Sequence, residues 1–316
     1  MKIFIRILLT FFVLTFGAVL LMQTPFVKHQ IKKMVISYAR EHGIELSIQK
    51  LDGNLPFEWK LKNVSVEWEN QIIFFDTIKT RFAVFSLFKK HLEITHLKMH
   101  RGNYKGAFFE GIAKGRIDLE KNKPIKISQF LLEGDDLFVR MEGKINPDFT
   151  IPEGSLTFHL PDASLFFPLL SEGEVIGSGT ITKQTIHFNC AGEKLFAFGT
   201  PFEKTSFVLE GARKRNGWEG AAQFSGGPKE IPLEGKIQYR FSPSCRLISI
   251  EDFQMTGPDL HFFGKMDLDP SFKCLEGTVF AKILNLKTLR PLFPNTYLKG
   301  RLGAKIDFQS FSEFQD

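Results

Sequence analysis

Histidine, cysteine and glycine are the residues of this chain whose spacing comes nearest to supporting chemistry. His96 and His100 share one side of a predicted strand, with His91 close in sequence. No carboxylate or cysteine accompanies them at the spacing of metal ligands. We interpret the three as solvated surface histidines rather than as a metal site.

The other candidates for chemistry are weaker. Gly173, Gly177 and Gly179 are followed by neither a lysine nor a predicted helix, so we interpret them as turns between strands rather than a phosphate-binding loop. Cys190 has no histidine placed to activate it and is expected to be a buried strand thiol. The serine-hydrolase, zinc-protease and nucleotide-binding motifs are absent from the sequence. The sequence predicts neither an enzyme nor a cofactor.

The charge distribution argues against nucleic-acid binding. The 316 residues carry a net charge of +6, but residues 1–50 hold seven Lys or Arg against two Glu, which is +5 of that total. The remaining residues hold 34 basic and 33 acidic side chains. A nucleic-acid-binding surface requires a basic surplus on the folded body, and the charges of this body are balanced.

The N-terminus is predicted to be a membrane anchor over residues 1–24. The segment from Ile7 to Met22 has no charge, and with the preceding residues it gives about 20 largely apolar positions, close to the thickness of a bilayer core. A cleaved signal peptide is the alternative, but small residues are missing where a cleavage site needs them. The residues expected inside the bilayer are Ile7, Leu8, Phe11, Phe12, Leu14, Val19 and Leu21.

A basic amphipathic helix is predicted over residues 25–43, between Pro25 and Gly43. Its apolar stripe consists of Val27, Ile31, Met34, Val35, Tyr38 and Ala39. Lys28, Lys32 and Lys33 are candidates for contacts with anionic lipid head groups. Alternatively, the apolar stripe covers the start of the domain that follows.

Residues 44–316 are predicted to form an antiparallel β domain. Short runs alternate apolar and polar residues and are divided by Gly, Pro and Asn/Asp turns. The dipeptide Asn216-Gly217 between two such runs predicts a tight hairpin. Short helical turns are expected at 83–90, 163–170 and 286–293.

The β domain contains an internal repeat. Shifted by 123 positions without gaps, residues 127–177 match residues 250–300 at twelve positions, against roughly three expected by chance from composition. The alternation keeps its register, so the same face is apolar in both copies. We assign the copies to 127–189 and 250–312, and we expect the second copy to be truncated at the C-terminus.

The apolar face that the repeat preserves supplies the candidate binding residues. They are Leu137, Val139, Met141, Ile145, Leu260, Phe262, Met266 and Leu268. The chain has 35 Phe against 4 Tyr and 3 Trp, which favours dry apolar contacts. Such a face must be covered, either by a second layer in a closed β-sandwich or by acyl chains in an open groove. The repeat favours the groove, because repeats stack into open-ended arrays.

The order of motifs resembles the start of the TamB/AsmA-like proteins of Gram-negative envelopes. The matching motifs are Gly53-x-Leu55, Lys62-Asn63-Val64, Phe75-Asp76-x-Ile78, Ser86-Leu87-Phe88-Lys89 and Ile94-x-x-Leu97 followed by Gly102. The Pro-Leu element of the repeat, at Pro168-Leu169 and Pro291-Leu292, fits the same pattern.

The resemblance implies an all-β fold behind one transmembrane helix and a short helix, with an elongated repeat sheet folded over into an apolar trough (β-taco-like). It implies a single-pass inner-membrane protein with its bulk in the periplasm of a Gram-negative bacterium. Phospholipid acyl chains would bind in the trough, for transport between the inner and outer membranes or for envelope biogenesis. The alternative is a translocation and assembly scaffold for outer-membrane proteins that acts with an Omp85-type barrel. This chain departs from the long members of the family in its length.

Overall fold

The structure, a computed structural model, describes residues 22–41, 43–68, 71–118, 123–146, 151–165, 170–197, 200–215, 217–229, 231–241, 248–268, 274–290, 297 and 299–309. Its contacts divide the chain into two units, Met1–Ile151 and Pro152–Asp316. The predicted anchor residues, Ile7 to Leu21, lie outside the described residues. Of the helices that the described residues form, none has the length and apolar character needed to cross a membrane.

Helix α1 (Pro25–Glu41) precedes the strands of unit 1, where the sequence predicts a helix over 25–43. At its start, the N–H of Val27 donates to Thr24 Oγ1 (3.4 Å), and a proline in the first helical position has no N–H that needs a partner. At its end, Gly43 has a φ of 74° and its N–H donates to the carbonyl of Arg40 (3.0 Å). This left-handed glycine ends the helix without the strain that a side chain would add.

Unit 1 is an antiparallel meander in which each strand pairs with the next one along the chain. Its strands are β1 (Glu45–Asp52), β2 (Glu58–Trp68), β3 (Gln71–Ala83), β4 (His91–Tyr104), β5 (Ala107–Asp118), β6 (Ile125–Gly134) and β7 (Phe138–Ile145). A 3-10 turn, Val84–Lys89, joins β3 to β4. Among the described pairings, the first and last strands of the unit do not meet, so the meander is open.

Unit 2 is built in the same way. Its strands are β8 (Glu153–Leu160), β9 (Leu170–Ile181), β10 (Thr185–Ala197), β11 (Thr200–Pro201), β12 (Thr205–Lys214), β13 (Gly217–Gly226), β14 (Leu233–Phe241), β15 (Ile248–Gly257), β16 (Leu260–Leu268), β17 (Cys274–Ile283) and β18 (Leu302–Gln309). The short β11 lies beside β10, which also pairs with β12. Lys214 pairs with Gly217, which is the hairpin that the sequence predicts there.

The internal repeat recurs in the order and bounds of the elements. Adding 123 to the bounds of β6 gives those of β15, and the 3-10 turn Ala163–Leu165 corresponds to the turn Leu286–Leu289. The caps of these two turns correspond as well. Asp162 Oδ1 accepts from the N–H of Ser164 (3.0 Å), and Asn285 Oδ1 accepts from the N–H of Lys287 (3.2 Å). All three predicted helical turns are present as 3-10 turns.

The 18 strands belong to one antiparallel sheet. Within each unit one face of the sheet is apolar and the other is polar, because successive side chains of a strand point to opposite faces. In β14 the apolar residues are buried or half-buried, whereas Lys236, Gln238 and Arg240 are exposed. Arg240 pairs with Glu219 (3.0 Å) and Glu251 (2.9 Å) on the neighbouring strands. Such exposed ion pairs add little stability. They show that this face of the sheet is exposed to solvent.

The end of the apolar face in unit 2 is closed by a small core. Ile231, Leu260 and Ile283 are buried together, and Leu233, Phe262, Leu286 and Leu289 pack against them. The 3-10 turn Leu286–Leu289 therefore covers the end of β16. Transfer of such side chains from water stabilises the fold by roughly 2 kcal/mol each.

Candidate functional site

The candidate site in unit 2 is a continuous apolar row across the sheet. Residues directly opposite each other in neighbouring strands place their side chains on the same face. Following the pairs from β8 to β18 gives a row in which no member is charged. This Phe262 row consists of Phe158, Gly177, Cys190, Phe207, Phe224, Gly235, Met255, Phe262, Ala281 and Ala304.

A second row runs beside the first, two residues away along every strand. This Phe188 row consists of Leu156, Gly179, Phe188, Leu209, Ala222, Ile237, Phe253, Gly264, Val279 and Ile306. Two residues along a strand separate the rows by about 7 Å, and nine steps between strands give each row a length of about 40 Å. Together the rows form a continuous apolar band across ten strands of unit 2.

The two rows are neither sealed nor fully open to water. Phe158, Phe207 and Phe262 are all half-buried, as are most other large members. The row one residue away, on the opposite face, contains Thr157, Ser178, Asn189, Val208, Gln223, Lys236, Gln254, Phe263, Phe280 and Lys305. That row is largely polar and exposed, so the two faces differ in both chemistry and burial.

Aromatic rings of the apolar face lie over glycines of the next strand. A Cβ atom on Gly177 would stand 2.3 Å from the Phe158 ring, which therefore occupies the space above that glycine. Phe188 stacks with Phe158 at 6.2 Å between centroids and contacts Phe207 at 6.3 Å. Phe158, Phe188 and Phe207 therefore form one aromatic cluster on this face, which was not among the predictions from the sequence. The pairing of Phe with Gly across hairpins is the pattern that could have predicted it.

Unit 1 has an apolar row of the same kind. Pairs from β1 to β7 connect Leu51, Leu61, Ile78, Met99, Gly111, Leu132 and Val139. In the adjacent row Met141 pairs with Phe130, and this row includes one hydroxyl, that of Thr80. Two of the predicted groove residues therefore stand at the ends of apolar rows.

The remaining predicted groove residues divide between rows and strand ends. Phe262 is in its own row, and Met266 pairs with Ile250 and Gly277 in a neighbouring apolar row. Ile145 is half-buried opposite Ile125. The three residues at strand ends, Leu137, Leu260 and Leu268, are buried.

The three lysines predicted to contact lipid head groups have different environments. Lys28 Nζ donates to the carbonyl of Gly53, and Lys32 Nζ to that of Gln49, both at 3.0 Å. These two lysines attach α1 to β1 and the turn after it. Lys33 is exposed.

The residues considered for chemistry occupy structural positions. His100 Nδ1 lies 2.9 Å from Glu110 on the polar face, and the described residues contain no group of three or more His, Cys, Asp or Glu placed to hold a metal ion. Cys190 is half-buried in the Phe262 row, where burial raises the pKa of its thiol. The prediction that Gly177 and Gly179 form turns is wrong, because both lie inside β9 beneath aromatic rings.

Tyr239 gives the apolar face a testable pH dependence. It is 4% exposed, its hydroxyl donates to the carbonyl of Glu210 (3.1 Å), and burial raises its pKa to about 12. The folded state therefore holds this proton more tightly than the unfolded state, so the stabilisation is complete below pH 10 and is lost as the pH rises toward 12. We expect a loss on the order of 2 kcal/mol.

Urea titrations between pH 9 and pH 12 measure this loss in the free energy of unfolding. Tyr239→Phe removes the titrating group and should flatten the decline, although it also removes one hydrogen bond worth about 1 kcal/mol in the pH range where the phenol is protonated. Equal declines in the two proteins would contradict the assignment to Tyr239.

Compared with family models, with curated proteins and with solved structures, the chain matches none of them. Its function therefore has to be inferred from the apolar rows themselves.

Proposed function

We propose that this chain binds the acyl chains of phospholipids along the apolar face of its sheet. The observation that carries the proposal is the pair of rows through Phe262 and Phe188. They cross ten strands over about 40 Å, carry no charged side chain and are half-buried.

An apolar face of this extent needs a hydrocarbon or protein cover, because soluble proteins rarely expose apolar patches above a few hundred Å². The rows offer hardly any hydrogen-bonding groups, and a buried polar group without a partner would be costly. Acyl chains need no such partners, while their head groups could stay in water beside the polar face. This match of chemistry favours lipid over a polar ligand.

The resemblance to AsmA-like proteins suggests how the bound lipid would be used. The sheet would fold over into a trough, an N-terminal anchor would hold it at the inner membrane, and phospholipid would move through the periplasm between the two membranes. The similar composition of successive strands supports movement, since a lipid passing from one strand to the next exchanges equivalent apolar contacts. No catalytic group is required for such transport.

Native mass spectrometry of residues 22–316, which retain α1 on β1, tests the proposal without detergent. We expect adducts at phospholipid masses on the unmodified chain. Phe262→Asp should remove them, because a carboxylate would stand in the apolar row. Phe263→Asp is the matched control, since Phe263 is the next residue of β16, is 46% exposed and lies on the polar face.

The comparison can be repeated at a second place in the sheet. Phe188→Asp alters the Phe188 row, whereas Asn189→Asp alters the opposite face of the same strand. Circular dichroism establishes that each variant keeps its strands. A protein without adducts, or one whose adducts survive both row variants, would contradict acyl-chain binding and would favour the assembly scaffold.

A further inference from the structure

Helix α1 has a second apolar surface that does not face the sheet. Val27, Ile31 and Val35 are half-buried on the side that packs against β1. In contrast, Phe26 is 71% exposed and Met34 is 68% exposed. The predicted apolar stripe included Met34 and Tyr38, and the structure leaves both exposed, at 68% and 64%.

Basic side chains accompany the exposed apolar residues. The helix carries four Lys or Arg and one Glu, which gives it a net charge of +3. Two of the lysines are bonded to the carbonyls of Gly53 and Gln49, so they fix the orientation of α1 on unit 1. Lys33 is exposed and follows Phe26 by seven residues, which is nearly two turns and puts both on one side.

We infer that the outward side of α1, comprising Phe26, Lys33 and Met34, lies on an anionic lipid surface. A helix with apolar residues beside basic ones lies in the plane of the membrane interface, its apolar side chains in the acyl boundary and its cations at the head groups. The positive charge complements anionic lipid rather than a neutral surface. The predicted anchor ends directly before α1 in the sequence, which would keep the helix close to the bilayer.

This contact does not rest on acyl-chain binding by the sheet. The packed side of α1 contacts β1, and the outward side is available whether or not the rows hold lipid. The two proposals can therefore fail separately.

Photo-crosslinking of the full chain in vesicles tests the contact. The photoreactive residue p-benzoylphenylalanine replaces Phe26 or Met34, and Phe108, which is 66% exposed on the polar face of unit 1, serves as the matched control. The vesicles contain either phosphatidylcholine alone or equal parts of phosphatidylcholine and phosphatidylglycerol. Mass spectrometry counts the lipid adducts on each position.

We expect lipid adducts at positions 26 and 34 in the anionic vesicles and far fewer at position 108. Lys33→Gln should lower the yield at position 26 by about fivefold, because one basic side chain near an anionic surface contributes about that factor to binding. Lys33 is exposed, so this variant leaves the packed side of α1 unchanged. Equal yields at positions 26 and 108, equal yields in the two vesicle types, or protein adducts in place of lipid would each overturn the inference.

Discussion

Replacing Gly177 with valine should destabilise unit 2 by about 3 kcal/mol. The new Cβ atom would stand 2.3 Å from the Phe158 ring, closer than real contacts allow. The ring must therefore leave the glycine, which removes its packing against the sheet and interrupts its stacking with Phe188. Hydrogen exchange of peptides from β8 and β9, followed at increasing urea concentrations, measures the loss in the free energy of unfolding. Exchange is suitable because it reports the stability of individual segments.

Ser178→Val is the matched control for this prediction. Ser178 is the next residue of β9, is exposed and lies on the polar face. Valine suits an exposed strand position, so we expect a change within about 0.5 kcal/mol. If Gly177→Val and Ser178→Val changed the free energy of unfolding by similar amounts, the Phe158 ring would not lie over Gly177.

Phe109→Ala should cost unit 1 about 3–5 kcal/mol, the usual range for removing a buried Phe side chain. Phe109 is 5% exposed, and its ring meets that of Phe75 edge to face at 5.8 Å. The same ring lies over Gly102, where a Cβ atom would stand 2.3 Å away. The deletion would leave a cavity that neither of these neighbours can fill.

The neighbouring phenylalanine provides the control for Phe109. Phe108 belongs to the same strand but points to the polar face, so Phe108→Ala should change the free energy of unfolding by less than about 1 kcal/mol. Hydrogen exchange of peptides from β4 and β5 in urea compares the two variants. Similar losses for both residues would show that the two faces of unit 1 are not distinct.

Much of the fold could be predicted because it depends on local sequence. Period-two alternation marked strands such as β7, β14 and β16 and identified their apolar faces correctly. The repeat predicted equivalent strands 123 residues apart, and β6 and β15 have the same bounds after that shift. These features follow from side-chain alternation and turn chemistry, which act over a few residues.

Local irregularities in unit 1 could not be predicted from alternation. Leu61 and Val64 both lie in apolar rows although they are three positions apart, and Asn63 between them has a φ of 47°. Met99 and Gly102 show the same spacing around Arg101, with a φ of 47° and a shift in register. Around Asn63, β2 keeps its register with β1 and β3, so the left-handed residue changes the face without a bulge. At Met99–Gly102 an extra residue of β4 opposite β5 forms a β-bulge, which returns the following side chains to the face they would otherwise leave.

The excess of phenylalanine predicted dry apolar contacts, and this holds for only some of the Phe residues. Phe158, Phe188 and Phe207 stand on the apolar face, but Phe263 and Phe280 stack on the polar face at 5.0 Å and are exposed. Composition counts residues without assigning them to a face. The position of each Phe in the alternation of its strand separates the two groups, as Phe262 and Phe263 of β16 show by lying on opposite faces.

Acyl-chain binding is tested most directly by a photo-crosslinking scan along β16 of the full chain in membranes. p-Benzoylphenylalanine is placed in turn at positions 261, 262, 263, 265 and 266, and phospholipid adducts are identified by mass spectrometry. If acyl chains lie on the apolar face, we expect adducts at Phe262 and Met266 and none at His261, Phe263 or Lys265. This pattern follows the alternation of side chains along the strand. Adducts that ignore this alternation, or none at any position, would contradict the proposed function.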